Sequence, residues 1–192
     1  MTRTARIAFI AAIAGTTAAG MSFFAAQHAA AAPRMSDAQL IANATSAAPA
    51  SIGRNATVVA PGPRNTMRTL RRGSNGWTCM PDDPNTPSND PMCFDRNGMA
   101  WADAWMHHRA PPAGTAALSY MLQGGSDASN TDPFATRPAR GASWVRTGPH
   151  VMILDRNAAA ASGYPGGPNP DTSKPYVMFA GTPYAHIMLP VR

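Results

Sequence analysis

The chain of 192 residues contains no glutamate and a single lysine, Lys174. Its ten acidic residues are all aspartates, so acid–base chemistry would fall to Asp or His. A zinc protease with the H-E-x-x-H motif is excluded because that motif needs a glutamate. Aspartate suits turns and caps better than helix interiors, which fits a loop-rich fold. A GC-rich genome, which favours Ala, Arg, Gly, Pro and Asp, also explains the bias, and we favour that explanation.

Other familiar signatures are missing as well. No G-x-S-x-G nucleophile elbow occurs, and no lysine follows the glycines of the loop 123–133, so that loop is not a phosphate cradle. The two cysteines are too far apart for a redox-active C-x-x-C pair. No stripe of Lys and Arg interleaved with aromatics appears, so we expect no nucleic-acid partner.

The N-terminus has the pattern of a secretory signal peptide. Arg3 and Arg6 precede an apolar run at 7–14, and alanines follow at 29–32. We expect cleavage after Ala31, which leaves a protein without a transmembrane segment in the periplasm or outside the cell. The alternative is an uncleaved membrane anchor, but Gly and Thr at 15–17 and Gly20 interrupt the apolar stretch.

Removal of residues 1–31 would leave 161 residues, enough for one domain with a core. All 19 prolines follow the signal, which favours short strands joined by turns. We expect an N-terminal helical segment at 32–53 and an α+β domain at 54–192. Cys79 and Cys93, an isolated pair in an oxidising compartment, are expected to form a structural disulfide.

The periodicity predicts two helices and several short strands. Helices are expected at 36–47 and 97–109, since apolar residues recur at helical spacing and prolines follow each segment. Strands are expected at 57–60, 67–71, 77–80, 117–122, 143–146, 150–154, 176–179 and 185–189. The segment Gly73–Gly76 is a hairpin signal between the second and third of these strands. The predicted fold class is α+β: a single small domain of mainly short antiparallel strands with two helices and one disulfide.

Histidine and methionine alternate on two of the predicted strands. Residues i and i+2 of a strand share a face, so His150 would project with Met152, and His186 with Met188. Imidazole with thioether suits Cu(I), so these four residues form a candidate metal site, to which Met80, Met92, Met121 and Met178 could add sulfur. The alternative is that the methionines fill the core.

Two loops could bind ligands. The segment between the cysteines contains three aspartates, including Asp82 and Asp90, and could coordinate calcium, although Asp-Pro and Asn-Pro pairs are also ordinary turn formers. The loop 123–133 concentrates small polar residues, among them Asp127, Asn130 and Asp132, and could line a binding site. The alternative is a hydrogen-bonded surface loop.

A hydrolase that uses His and Asp is the third possibility, with His150, His186, Asp127, Asn130 and Asp132 as candidates for acid–base or substrate contacts. The sequence selects no nucleophile and indicates no cofactor. The leading interpretation is a non-enzymatic binding or structural domain of the cell envelope, whose partner is an unidentified ligand or envelope component. The alternatives are a copper- or calcium-binding protein and this hydrolase.

Five blocks of the sequence carry a resemblance to a known group: Asn75–Pro81, Asn89–Cys93, Tyr120–Gly125, Gly148–Met152 and Gly181–His186. They resemble a family of uncharacterised secreted or periplasmic proteins of proteobacteria with no known activity. The resemblance implies a bacterial, exported, single-domain protein. It implies no catalytic residue and no cofactor.

Overall fold

A computed structural model describes residues 35–62 and 66–191. The predicted signal peptide at 1–31 and its cleavage site lie outside the described residues. Within the described part, no helix is both long and apolar enough to cross a membrane. The described residues belong to one compact unit.

The described residues form four helices: α1 (Asp37–Thr45), α2 (Ala50–Gly53), α3 (Arg96–Met106) and α4 (Arg156–Ala161). The two predicted helices correspond to α1 and α3, and the short α2 and α4 are additional. Ser36 begins α1 with a capping box, because its hydroxyl accepts a hydrogen bond from the Gln39 backbone N–H while the Gln39 side chain accepts one from the Ser36 backbone N–H. Asp95 caps α3 by accepting a hydrogen bond from the backbone N–H of Gly98.

Ten strands are described, and eight of them form one sheet in the order β2-β1-β3-β4-β5-β8-β10-β9. All neighbours in this sheet are antiparallel except β1 and β3, and β6 and β7 form a separate antiparallel pair. The α+β class is therefore confirmed. The strands are β1 (Thr57–Pro61), β2 (Met67–Arg71), β3 (Thr78–Met80), β4 (Met92–Phe94), β5 (Leu118–Met121), β6 (Gly125–Asp127), β7 (Val145–Thr147), β8 (His150–Ile153), β9 (Tyr176–Met178) and β10 (His186–Pro190).

The predicted hairpin across Gly73–Gly76 is wrong. β1 lies between β2 and β3, pairing antiparallel with β2 and parallel with β3. The reason is burial: β1 contributes the fully buried Val58 opposite Cys79, whereas β2 is a largely exposed edge strand. The Arg71 guanidinium donates hydrogen bonds to the backbone oxygens of Gly53 and Ala56, which holds β2 against β1.

One face of the eight-stranded sheet, called here the methionine face, carries a methionine from each of six strands. Cross-strand partners share a face, and Met188 pairs with Met152, Met178 with His186, and Met80 with Met92. The helix α3 covers this face through Ala102, Met99 and Trp101. The six methionines are Met80, Met92, Met121, Met152, Met178 and Met188, and Ser119, His150, Tyr176 and His186 share their face.

The opposite face, called here the aliphatic face, is closely packed at both ends. At one end Val58 and the Cys79–Cys93 disulfide pack against alanines of α1 and the segment after it. At the other end Val177 and Ile187 pack against α4. The cysteines are direct cross-strand partners on β3 and β4, which confirms the predicted disulfide.

Candidate functional site

Two adjoining cavities lie against the methionine face. The inner chamber, of about 200 Å³, lies between the sheet and α3 and is lined by the six methionines of the face, His186, Trp101 and Phe94. The outer chamber, of about 670 Å³, is lined by aromatic and polar residues of α3, the segment 126–144 and the segment between Cys79 and Cys93, called here the disulfide loop. They share the lining residues Asp83, Thr86, Trp105, Met106, Ser126, Asp127 and Phe179.

His186 presents an unpartnered nitrogen among the methionines of the inner chamber. Its Nδ1 lies 2.9 Å from the backbone oxygen of Tyr184, which makes Nδ1 the protonated nitrogen and leaves a lone pair on Nε2. The residue is 2% exposed, and Nε2 has no hydrogen-bond partner among the described residues. Burial lowers the pKa of His186 to about 4, so the ring is neutral at pH 7.

His150 has the same local geometry in a different place. Its Nδ1 lies 2.7 Å from the backbone oxygen of Gly148, its Nε2 is also unpartnered, and burial lowers its pKa. It pairs with Pro190, four residues along β10 from His186, and it does not line the inner chamber. The predicted pairs His150–Met152 and His186–Met188 therefore share one face, but the two histidines are not cross-strand partners.

Asp127 projects from β6 into both chambers. Burial raises the pKa of its carboxyl to about 7, and the nearby carboxyl of Asp90 adds to the increase. No described residue donates a hydrogen bond to this side chain. Asp127 is therefore a partly buried acid whose charge is not compensated by the protein around it.

Asp90, in contrast, is satisfied within the disulfide loop. Its carboxylate accepts hydrogen bonds from the backbone N–H of Asp83 and the hydroxyl of Thr86, while Asp82 accepts one from the backbone N–H of Asp90. Burial raises its pKa to about 6. These bonds shape the loop that was the predicted calcium site. Among the residues described, no group of three or more His, Cys, Asp or Glu could hold a metal ion.

Aromatic rings form the walls of the outer chamber. Phe134 stacks on His108 with centroids 4.0 Å apart, and Trp105 donates a hydrogen bond from Nε1 to the backbone oxygen of Pro133. Trp144 and Phe179 complete these walls. No arginine or lysine of the described segments lines either chamber.

The remaining predicted site residues have different positions. Asp132 lines the outer chamber, where its carboxylate also accepts a hydrogen bond from the backbone N–H of Phe134. Asn130 is buried and donates to the backbone oxygens of Gly167 and of Val177 in β9, and it does not line the chambers. Ser126 and His186 both line the inner chamber, yet neither Ser126 Oγ nor His186 Nε2 has a partner within the described part, so they do not form a nucleophile–base pair.

The sequence did not indicate three of the aromatic residues in the walls. Trp144, Phe134 and Phe179 lie in segments without helical periodicity, and no local signal indicates that they converge. The one usable signal was the alternation of His and Met on β8 and β10, which identified the methionine face. No protein-family model, curated protein or solved structure matches the chain. Function is therefore inferred from the chemistry of the chambers.

Proposed function

We propose that the protein is an exported, non-enzymatic binding domain whose ligand is a small organic cation with an aromatic or apolar body, held in the outer chamber. The observation that carries this proposal is the carboxyl of Asp127, which faces the chamber without a partner. A cationic group placed beside it would supply the compensating charge and favour the ionised form.

The distribution of charge supports a cationic ligand. The whole chain has a net charge of +6, yet the described lining of the outer chamber contains Asp83, Asp127 and Asp132 and no arginine or lysine. A wall that combines carboxylates with low-dielectric aromatic surface concentrates cations and disfavours anions. The local charge thus differs in sign from the charge of the chain.

The aromatic walls support an organic cation. Trp105, Trp144, Phe134 and Phe179 line the chamber, and cations bind aromatic rings through the quadrupole of the π system. A volume of about 670 Å³ lies in the range of pockets that hold small molecules. The ligand would thus place its charge near Asp127 and its apolar body against the rings.

Export and a binding role have separate support. The N-terminal pattern of residues 1–31 is that of a signal peptide, and a disulfide such as Cys79–Cys93 is typical of oxidising compartments. Binding is preferred to hydrolysis because Ser126 and His186 do not contact each other by a hydrogen bond within the chambers.

The test is calorimetric titration of the oxidised mature protein, residues 32–192, with N-methylisoquinolinium at pH 8. Neutral isoquinoline, which has nearly the same shape, is the control ligand. We expect the cation to bind at least about tenfold more tightly than the neutral analogue, and Asp127→Asn to remove that preference. Asp171→Asn is the matched control variant, since Asp171 is exposed and ion-paired with Lys174 away from the chambers.

Two results would reject the proposal: equal affinity for the cation and the neutral analogue, or unchanged selectivity in Asp127→Asn. Binding of the cation is also expected to tighten as the pH rises from 5.5 to 8, because the Asp127 carboxyl ionises near pH 7. Asp90 and Tyr176 are the titratable neighbours of Asp127, and neither reverses this direction: ionised Asp90 adds negative charge, and the pKa of Tyr176 is raised.

A further inference from the structure

We propose that the floor of the inner chamber is a binding site for one Cu(I) ion, with Nε2 of His186 and the sulfurs of Met178 and Met188 as its ligands. This site is separate from the proposed organic-cation site in the outer chamber and does not depend on it. Both sites would be reached from the same side of the molecule, because the two chambers adjoin.

Nε2 of His186 is in the tautomeric state that binds a metal. The Nδ1–H of His186 donates to the backbone oxygen of Tyr184, which determines the tautomer and turns Nε2 into an acceptor. Metal-bound histidines are oriented by this kind of contact, in which the second nitrogen donates to a carbonyl or carboxylate. Edge contacts with the rings of Trp101 and Phe179, at 5.4 and 5.5 Å between centroids, hold the imidazole in place.

The sulfur ligands are placed by strand register. Met178 is the direct cross-strand partner of His186, and such partners have Cβ atoms about 4.5–5.5 Å apart. Met188 follows His186 by two residues on β10 and therefore lies on the same face. Both methionines and His186 line the inner chamber and are no more than 2% exposed.

Core filling alone does not account for this arrangement. A methionine that only fills space needs no polar neighbour, whereas an unpartnered buried nitrogen is costly unless something binds it. The inner chamber, of about 200 Å³, is lined by the His186 side chain that carries this nitrogen. Thioether sulfur with neutral imidazole selects a soft ion, which is why the proposal names Cu(I) rather than zinc or calcium.

The experiment is a competition titration of the oxidised mature protein, without oxygen at pH 7, using Cu(I) added as its acetonitrile complex and bicinchoninate as the coloured competing chelator. Thiol reductants are left out so that the disulfide stays intact. We expect one Cu(I) per chain, with nitrogen and sulfur neighbours in the X-ray absorption spectrum. The double variant Met178→Leu/Met188→Leu should weaken binding at least about 100-fold, since even loss of a supporting contact costs 10–100-fold.

The control variants separate ligation from packing. His150→Gln removes a histidine with the same burial and backbone contact that does not line the inner chamber, and Met99→Leu changes a methionine that packs on the same core from α3. Both should bind Cu(I) as the parent does. Leucine conserves the volume of methionine, so the double variant should stay folded, which circular dichroism checks.

Three results would overturn the proposal: no competition with the chelator, unchanged affinity in the folded double variant, or an equal loss in the two controls. Binding of N-methylisoquinolinium should persist in the double variant. Failure of the copper site is thereby distinguishable from failure of the organic-cation site.

Discussion

The two faces of the eight-stranded sheet are built from different side chains and leave different amounts of space. The aliphatic face packs valine, isoleucine, small alanines and a disulfide against α1, α2 and α4, and many of these residues are completely buried. The methionine face packs six flexible thioethers against α3, together with buried polar groups on His186 and Ser119, and an open chamber remains there.

Under the proposed function, this difference would assign stability and binding to opposite faces of one sheet. Small and branched side chains have few rotamers and fill a face at high density. Changes of side-chain volume on that face therefore have a large effect on stability. Methionine is unbranched and polarizable and tolerates both repacking and a guest. We infer that the aliphatic face stabilises the fold and that the methionine face supplies the site.

The largest effect is expected from removing the disulfide on the aliphatic face. Closing a loop of this length stabilises a protein by about 3 kcal/mol, so Cys79→Ala/Cys93→Ala should lower Tm by about 10 °C in thermal unfolding. Reduction of the parent protein serves as the control and should produce a similar decrease. If neither change moves Tm, the disulfide end of the face is not a source of stability.

A smaller loss is expected from overpacking the same face. Ala44 is the completely buried residue of α1, and Ala44→Leu adds three carbons there. This variant should lower the free energy of unfolding, measured with denaturant, by about 1–3 kcal/mol. Ala42→Leu, on the exposed side of the same helix, is the matched control and should stay within about 0.5 kcal/mol of the parent. Equal costs at the two positions would contradict close packing.

At the chambers, removal of a buried charge should stabilise. The pKa of the Asp127 carboxyl is about 7 in the folded protein and 3.8 in the unfolded chain. The destabilisation caused by its ionisation is therefore absent below pH 4 and grows as the pH rises to 7. Asp127→Asn should therefore leave Tm unchanged at pH 4. At pH 8 it should raise the free energy of unfolding by about 1–2 kcal/mol, a figure reduced for the partial exposure of the side chain. A gain at pH 4 as large as that at pH 8 would show that charge is not the cause.

The smallest effect is expected on the methionine face. Met152→Leu conserves volume and should change the free energy of unfolding by less than about 1.5 kcal/mol. Val58→Leu adds a single methylene on the aliphatic face, where Val58 is completely buried, and should cost more. Denaturant unfolding compares the two, and a larger cost for Met152→Leu would reverse the contrast between the faces.

Much of the local structure was predictable from sequence. Ser36 and the apolar spacing after it identified α1, and the alternation on β8 and β10 correctly placed His150 with Met152 and His186 with Met188. Strands β4 and β6 were missed because both fall in segments interpreted as loops: β4 overlaps the end of the segment between the cysteines, and β6 contains Gly and Asp, which are depleted in strands. Of the candidate site residues, Asp127, Asp132 and His186 line the chambers, whereas Asn130 and His150 do not.

By itself the sequence determined the fold class, the pairing of its two cysteines and the shared face of His and Met on β8 and β10. These properties follow from composition and from the period of two along a strand. Tertiary structure alone decided that β1 separates β2 from β3, that His186 lines the inner chamber while His150 does not, and that Asp127 lines the same cavity as Trp105, Trp144, Phe134 and Phe179. The physical reason is that strand order and burial depend on contacts between residues far apart in the chain, which no local pattern records.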